Sequence, residues 1–198
     1  MNAPSNELNL VKVNDQNAAV VCKNADLEDQ SKLLLGNKPS LSDYIQSLLA
    51  NSALKDVINV IAHALPAREA VYWACLCVRD VIDQESNSDD LKAIKAAEQW
   101  VYQPNDNDRY LNHELAENLE YSTAAAWVSN AVFWSGGSIT PKKEAKVEPP
   151  DGVFGKAISG AINLASASED PKKVDQLQKQ FIKRGINIAQ GGKGEIYP

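Results

Sequence analysis

The residues best suited to chemistry in this sequence are His113, Glu114 and Glu117, which stand at helical spacing. Their order is similar to that of a zinc-protease helix, where two histidines four positions apart bind the metal and a glutamate acts as general base. Here Glu117 replaces the second histidine, and the chain's other histidine is His63. One hypothesis is therefore a hydrolase or metal-dependent enzyme that uses these three residues. We favour the alternative, a solvated and charged helix face.

Other residue types used in catalysis do not combine into a recognisable site. Cys75 and Cys77 are two positions apart, so on a helix their sulfurs point about 200° apart and cannot share one metal ion. The segment Ser135–Ser138 looks like an active-site loop, but a helix end followed by a turn explains it better. No Gly-x-Ser-x-Gly motif occurs in the sequence. We therefore expect no enzyme, and no catalytic, cofactor-binding or metal-binding residue.

Aromatic and charged side chains give better support for a binding role. Four tryptophans lie on three predicted helices, and we expect most of them in the core because large rings are usually well buried. A tryptophan left exposed beside a tyrosine would mark a protein-binding hot spot. The charged residues of the central helix form either an ion-pair network between helices, which we favour, or a polar groove for a partner peptide. The candidate partner-binding residues are Arg68, Glu69, Tyr72, Trp73, Trp100, Trp127 and Trp134.

The central helix that must position several of these residues is predicted over Leu65–Asp83. Pro66 suits the first turn of a helix, where its missing N–H is no loss. Apolar residues cover most of the remaining circumference, which is typical of a helix buried among others. Arg79 and Asp83 stand four positions apart and are expected to form an ion pair along the helix.

Apolar periodicity recurs along the chain between short breaks and predicts an all-α fold. We expect an irregular helical bundle or a short stack of helix pairs, with an extended N-terminal arm. Helices are predicted over residues 25–35, 109–121, 152–167 and 171–189, among others, and short extended segments over 9–13 and 18–22. The predicted organisation is an arm or small hairpin over 1–24, a main helical core over 25–139, a linker over 140–151, a C-terminal helix pair over 152–190 that packs on the core, and a flexible tail over 191–198.

The composition limits the classes of partner. The 198 residues carry a net charge of −6, with a sequence pI near 5.0. Nucleic-acid binders usually present a basic face, and anionic membranes attract basic segments, so we expect neither as a partner. No apolar run reaches the roughly 20 residues of a membrane helix, and the N-terminus lacks the features of a signal peptide. The three cysteines are an odd number, which favours reduced thiols and a cytoplasmic location.

Three segments of the sequence carry a resemblance. Leu65–Ala74 reads Leu-Pro-x-Arg-Glu-Ala-Val-x-Trp-Ala, Ala97–Val101 reads Ala-Glu-x-Trp-Val, and Phe133–Ser138 follows them. With these segments the sequence resembles, over residues 54–189, an uncharacterised bacterial family of helical proteins of about this length. That family is associated with gene neighbourhoods of type VI secretion. The resemblance implies a bacterial cytoplasmic protein, an accessory to contact-dependent secretion, and brings no catalytic residue with it.

These observations lead to one leading hypothesis and two alternatives. The leading hypothesis is a non-enzymatic protein-interaction module, an adaptor or chaperone-like accessory protein that binds a secretion component, an effector or a toxin. The first alternative is an immunity or antitoxin-type protein whose acidic face covers a basic toxin. The second is the enzyme built on His113, Glu114 and Glu117. The small residues that follow Gly152 would pack on the chain's own core or on a second copy, so a homo-oligomer is compatible with the sequence.

Overall fold

The computed structural model of the chain describes residues 8–36, 40–82, 88–141, 144–167 and 170–195. Within these ranges lie ten α-helices and one short 3₁₀ helix, Cys22–Asn24, and the predicted all-α fold is confirmed. The helices are α1 (Ala18–Val21), α2 (Asp29–Leu35), α3 (Leu41–Ala50), α4 (Leu54–Ala64), α5 (Ala67–Arg79), α6 (Asp89–Tyr102), α7 (Asp106–Asn118), α8 (Ala124–Phe133), α9 (Val153–Ala165) and α10 (Pro171–Ala189).

Several helices begin where a short polar side chain can accept a hydrogen bond from the first turn. Ser40, Ser88, Asn105 and Thr123 each accept one from the amide three positions further on. These residue types satisfy amides that have no partner inside their own helix. Asn105 also explains a wrong boundary. The Asn- and Asp-rich run that suggested a break supplies the cap of α7, which therefore begins at Asp106 and ends earlier than predicted.

The segment before α2 differs from the sequence-based prediction. The extended segment expected over residues 18–22 is wrong, because Ala18–Val21 forms a helical turn. The side chain of Asn17 accepts a hydrogen bond from the amide of Ala19, which caps this turn. The short 3₁₀ helix follows directly, so α2 begins at Asp29, later than predicted.

The arm that precedes α1 lies against the ends of two helices. The amide of Lys12 donates to the carbonyl of Ala189 at 2.8 Å, and the amide of Asn14 donates to the carbonyl of Ala64 at 2.8 Å. These carbonyls lie at the ends of α10 and α4, where the backbone oxygens have no N–H donor within the helix. The arm therefore ties the C-terminal ends of α4 and α10 together and places Lys12 beside the start of α5.

The centre of the core is α5, as predicted. It packs against α6, α8, α9 and α10, and its residues Ala70, Val71, Trp73 and Ala74 are buried. The helix ends at Arg79, and the predicted end at Asp83 lies outside the described residues.

The two C-terminal helices belong to the same core. Small residues let α9 lie close to α4: a methyl group at Gly155 would stand 2.6 Å from ring atoms of His63. α10 packs its apolar face on α4 and α5 and exposes its lysines to solvent. In the described ranges, no helix combines the length and the apolar character required to cross a bilayer.

Candidate functional site

Three of the predicted partner-binding residues meet in one open cleft at the start of α5. Arg68, Glu69 and Tyr72 stand in the first turns of the helix and share the cleft with the arm, the end of α6 and the segment after α10. The cleft has a volume of about 370 Å³. We call it the α5 cleft. Its polar and aromatic lining is Lys12, Arg68, Glu69, Tyr72 and Lys193, with Val101, Ile188 and Gly192 between them.

Arg68 is exposed but held in place by backbone carbonyls. Its Nε donates to the carbonyl of Val101 at 2.6 Å, and Nη2 approaches the carbonyl of Tyr102 at 3.4 Å. These carbonyls close α6, where the helix dipole concentrates negative charge. The guanidinium therefore has a fixed position at the edge of the cleft, and it uses only part of its donor capacity there.

Tyr72 and the segment after α10 position the second cation of the cleft. The hydroxyl of Tyr72 donates to the carbonyl of Lys193 at 3.1 Å. The next residue, Gly194, is buried: its amide donates to Asn187 Oδ1 at 2.8 Å, and Arg184 Nη1 donates to its carbonyl at 2.9 Å. Residues 191–195 are therefore bound to the body, unlike the flexible tail predicted there. Residues 196–198 of that predicted tail lie outside the described residues.

The charge of the α5 cleft is positive, although the whole chain is acidic. Lys12, Arg68 and Lys193 face it with one carboxylate, Glu69. The pair between Lys12 Nζ and Glu69 Oε1 is long, at 3.8 Å, and half exposed, so it leaves both groups available to other partners. Within the described residues, Lys193 has no acidic side chain within ion-pairing distance. The cleft is suited to a carboxylate-bearing ligand.

Two of the four tryptophans are placed where no partner can reach them. Trp73 is 0% exposed, and its Nε1 donates to the carbonyl of Phe181 at 2.8 Å; Trp100 is 5% exposed. Their assignment as partner-binding residues is therefore wrong, since both belong to the core. Trp127 and Trp134 are half-buried against the same core and lie away from the α5 cleft lining.

The charged residues at the far end of α5 form ion pairs between helices. Arg79 donates from Nε and Nη2 to the carboxylate of Glu98 at 2.8 and 2.6 Å. Asp80 binds the guanidinium of Arg184 with two contacts, at 2.9 and 2.8 Å. The expected partner of Arg79, Asp83, lies outside the described residues. This end of α5 thus fits the ion-pair network that we favoured over a peptide groove.

His113 and Glu114 line a second cleft, which we call the α7 cleft. It has a volume of about 490 Å³ and lies between α7 and residues 139–141. The ring of His113 stacks on Phe133, with centroids 4.0 Å apart, and its Nε2 stands 3.6 Å from Glu117 Oε1. Across the described ranges, no three His, Cys, Asp or Glu side chains converge in a metal-binding arrangement.

The serines of the segment Ser135–Ser138 stabilise a turn. Ser138 Oγ accepts hydrogen bonds from the amides of Thr140 and Val147 at 3.2 and 3.3 Å. Ser135 Oγ donates to the carbonyl of Val132 at 2.7 Å, at the end of α8. These contacts fit the helix end and turn that we favoured for this segment.

Sequence reasoning missed Arg109, a buried side chain that holds this turn in place through hydrogen bonds. Arg109 is 5% exposed, and its Nη2 donates to the carbonyls of Phe133 at 2.8 Å and Ser138 at 3.1 Å. Its Nη1 donates to Asp106 at 2.9 Å. The only sequence signal was the i, i+3 spacing of Asp106 and Arg109, which is common on exposed helices. Burial of Cys75 and Cys77 was predicted from their place on the central helix, whereas Cys22 was predicted only to be reduced; all three thiols are buried, and burial raises the pKa of each.

The chain belongs to a family of unknown function, DUF6931, whose model matches residues 44–189. No curated protein and no solved structure matches the chain. The matched range includes α4 to α10 and most of α3, and therefore Arg68, Glu69, Tyr72 and the α7 cleft. Lys12 and Lys193 lie beyond it. The predicted membership of an uncharacterised family is thereby confirmed.

Proposed function

We propose that this chain is a protein-interaction module that binds an acidic segment of a partner protein in the α5 cleft. The observation that carries the proposal is the meeting of three cations and an aromatic ring in one open cleft, although they come from three separate parts of the chain. Complementary charge selects partners and accelerates their association. Tyrosine and arginine are also enriched in the parts of interfaces that contribute most affinity.

The cleft is already arranged for binding. The side chain of Arg68 is fixed by the carbonyls of Val101 and Tyr102, and the backbone of Lys193 by the hydroxyl of Tyr72. A side chain or backbone that is held before binding loses little conformational entropy when the partner arrives. Arg68 Nε and Nη2 contact the carbonyls, which leaves Nη1 to donate to a carboxylate of the partner.

The partner segment should also bring an apolar side chain. Between the cations of the cleft lie Val101 and Ile188, with the ring of Tyr72 beside them. An apolar or aromatic side chain placed there would bury these surfaces while its neighbouring carboxylates reach Lys12 and Lys193. The net charge of −6 does not prevent this, because charges are screened beyond about 8 Å at physiological ionic strength.

We include in the proposal an adaptor or chaperone-like accessory role in the bacterial cytoplasm. The buried, unpaired thiols of Cys22, Cys75 and Cys77 support a reducing compartment. The resemblance to a family found near type VI secretion genes supports a secretion component or an effector as the partner. The binding function itself rests on the α5 cleft and does not depend on that resemblance.

The test is affinity purification of the tagged protein from cells that produce it naturally, with mass-spectrometric identification of bound proteins. Wild type is compared with the double variant Lys12→Glu, Lys193→Glu, which reverses two of the three cleft cations. The matched control is Lys179→Glu, Lys183→Glu, which changes two exposed lysines of α10. Both variants have the same composition and net charge, so only the position of the changes differs.

We expect one stoichiometric acidic partner with wild type and with the α10 control. Recovery of this partner with the cleft variant should fall about tenfold, because the two glutamates that replace Lys12 and Lys193 repel its carboxylates. The partner should then bind the purified chain directly in a titration. Equal recovery with both variants would overturn the α5 cleft as the binding site. A small basic toxin as the bound protein would instead support the immunity-type alternative.

A further inference from the structure

The α7 cleft has rigid walls and is separate from the α5 cleft. One wall is α7 and the other is the turn at residues 138–141. The hydroxyl of Tyr110 donates to the carbonyls of Ser138 and Thr140 at 3.2 and 2.7 Å, and thus joins the two walls. Arg109 also holds this turn, because its guanidinium donates a hydrogen bond to the carbonyl of Ser138. The shape of this cleft therefore does not depend on a partner.

The interior of the α7 cleft is mainly apolar and open to solvent. Tyr110, Leu111, Ile139 and Pro141 form most of its lining, and Leu111 is 45% exposed. At about 490 Å³ the cleft can accept a large apolar side chain of another molecule. An exposed apolar surface rimmed by polar groups is typical of interaction sites.

Within the described residues, the charged side chain that lines the cleft is a carboxylate, that of Glu114. Glu114 is exposed, and within the described residues it has no cation within ion-pairing distance. On the same helix Asp106 is bonded to the buried Arg109 and Glu117 stands beside His113, and neither of these carboxylates lines the cleft. In the part of the chain that the structure describes, the charge that lines this cleft is therefore opposite in sign to that of the α5 cleft.

We propose that the α7 cleft binds a segment of a partner protein that combines a large apolar side chain with adjacent lysine or arginine. The apolar side chain lies between Tyr110 and Ile139, and the cation that follows it meets Glu114. This inference concerns a different surface from the proposed function and stands or fails independently of it. Bridging of two partners would in addition rest on the binding proposed for the α5 cleft.

The test is a titration of the ¹⁵N-labelled full chain, followed by backbone amide shifts. The probes are two capped tripeptides of the same size and opposite charge, Ac-Phe-Lys-Lys-NH₂ and Ac-Phe-Glu-Glu-NH₂. The basic peptide should shift the amides of Leu111, Glu114 and Ile139, with an affinity roughly fivefold higher than that of the acidic peptide. The variant Glu114→Lys should abolish or reverse this preference. The control Asp175→Lys, on the exposed face of α10, should keep it.

Three results would overturn the proposal. The first is binding of both peptides with equal affinity. The second is the absence of amide shifts at the α7 cleft, whether no amide shifts or only amides elsewhere do. The third is a change of the α7 amides with protein concentration alone, which would show that a second copy of the chain occupies the cleft. Shifts at the α5 cleft by the acidic peptide would bear on the proposed function only.

Discussion

Replacing Gly185 by alanine should destabilise the protein, whereas the same replacement at Gly160 should stabilise it. Both glycines lie inside long helices, Gly185 in α10 and Gly160 in α9. Alanine is favoured over glycine in a helix interior by about 0.8–1 kcal/mol, so helix propensity alone predicts a gain at both positions. The space around the two glycines, however, predicts opposite changes in stability, a loss at Gly185 and a gain at Gly160.

The size of each effect follows from the space around the new methyl group. At Gly160 its nearest neighbour is Trp127 Cε3 at 3.8 Å, an ordinary contact, so the gain should be about 0.5–1 kcal/mol. At Gly185 the methyl would stand 2.8 Å from Trp73 Cε2 and Cζ2, and 3.0 Å from Ile61 Cγ2. The ring of Trp73 is buried and bonded to the backbone of α10, so it cannot move aside. Overpacking of this kind costs about 1–3 kcal/mol, and after the helix-propensity gain a net loss of up to about 2 kcal/mol remains.

The assay is urea unfolding of wild type, Gly160→Ala and Gly185→Ala, followed by circular dichroism. The free energies of unfolding of the two variants should differ by the overpacking cost itself, about 1–3 kcal/mol, with unchanged m-values. In thermal unfolding, each kcal/mol of change in the free energy of unfolding should shift the midpoint temperature by about 2–4 °C for a chain of this size. Equal shifts in the same direction for both variants would refute the close packing of α10 on Trp73.

Two further predictions concern buried polar side chains. Burial lowers the pKa of His63. The contribution of His63 to stability should therefore be complete above about pH 6.5 and should be lost as the pH drops from there towards the folded-state pKa, since the unfolded chain binds the proton first. His63→Gln should remove this part of the slope in unfolding titrations between about pH 5.5 and 7, and an unchanged slope would contradict the assignment. Arg109→Met should lower the free energy of unfolding by about 2–4 kcal/mol, because the carbonyls of Phe133 and Ser138 lose their donor. Arg109→Lys should recover only part of that loss, because an ammonium lacks the planar fork of the guanidinium; wild-type stability of Arg109→Met would show that the contacts are dispensable.

Several elements of the fold were readable from local signals. α10 begins at Pro171 and ends at Ala189, as predicted, because a proline suits the first turn and the apolar period is unbroken after it. The buried central helix α5 was predicted from its nearly continuous apolar surface. The same kind of signal was misleading at α1. Asparagine is common both in turns and at helix starts, and Asn17 caps a helix where an extended segment was predicted.

The candidate site was only partly readable. Arg68, Glu69 and Tyr72 stand within two turns of one helix, so their proximity followed from the sequence. Lys12 and Lys193 join them from opposite ends of the chain, and no periodicity connects residues so far apart. Trp73 and Trp100 were candidates because a tryptophan suits a core and an interface equally well.

The sequence by itself determined that the chain is helical, where most helices begin, and that Cys75 and Cys77 are apolar packing residues. These properties depend on neighbours within a few positions, through caps, helical period and side-chain type. The tertiary structure alone decided which tryptophans are buried, how the segment after α10 places Lys193, and that Arg109 supports the turn at Ser138. Those outcomes depend on how helices distant in sequence pack against one another. The residue types and spacing within a single helix do not specify which helices it packs against.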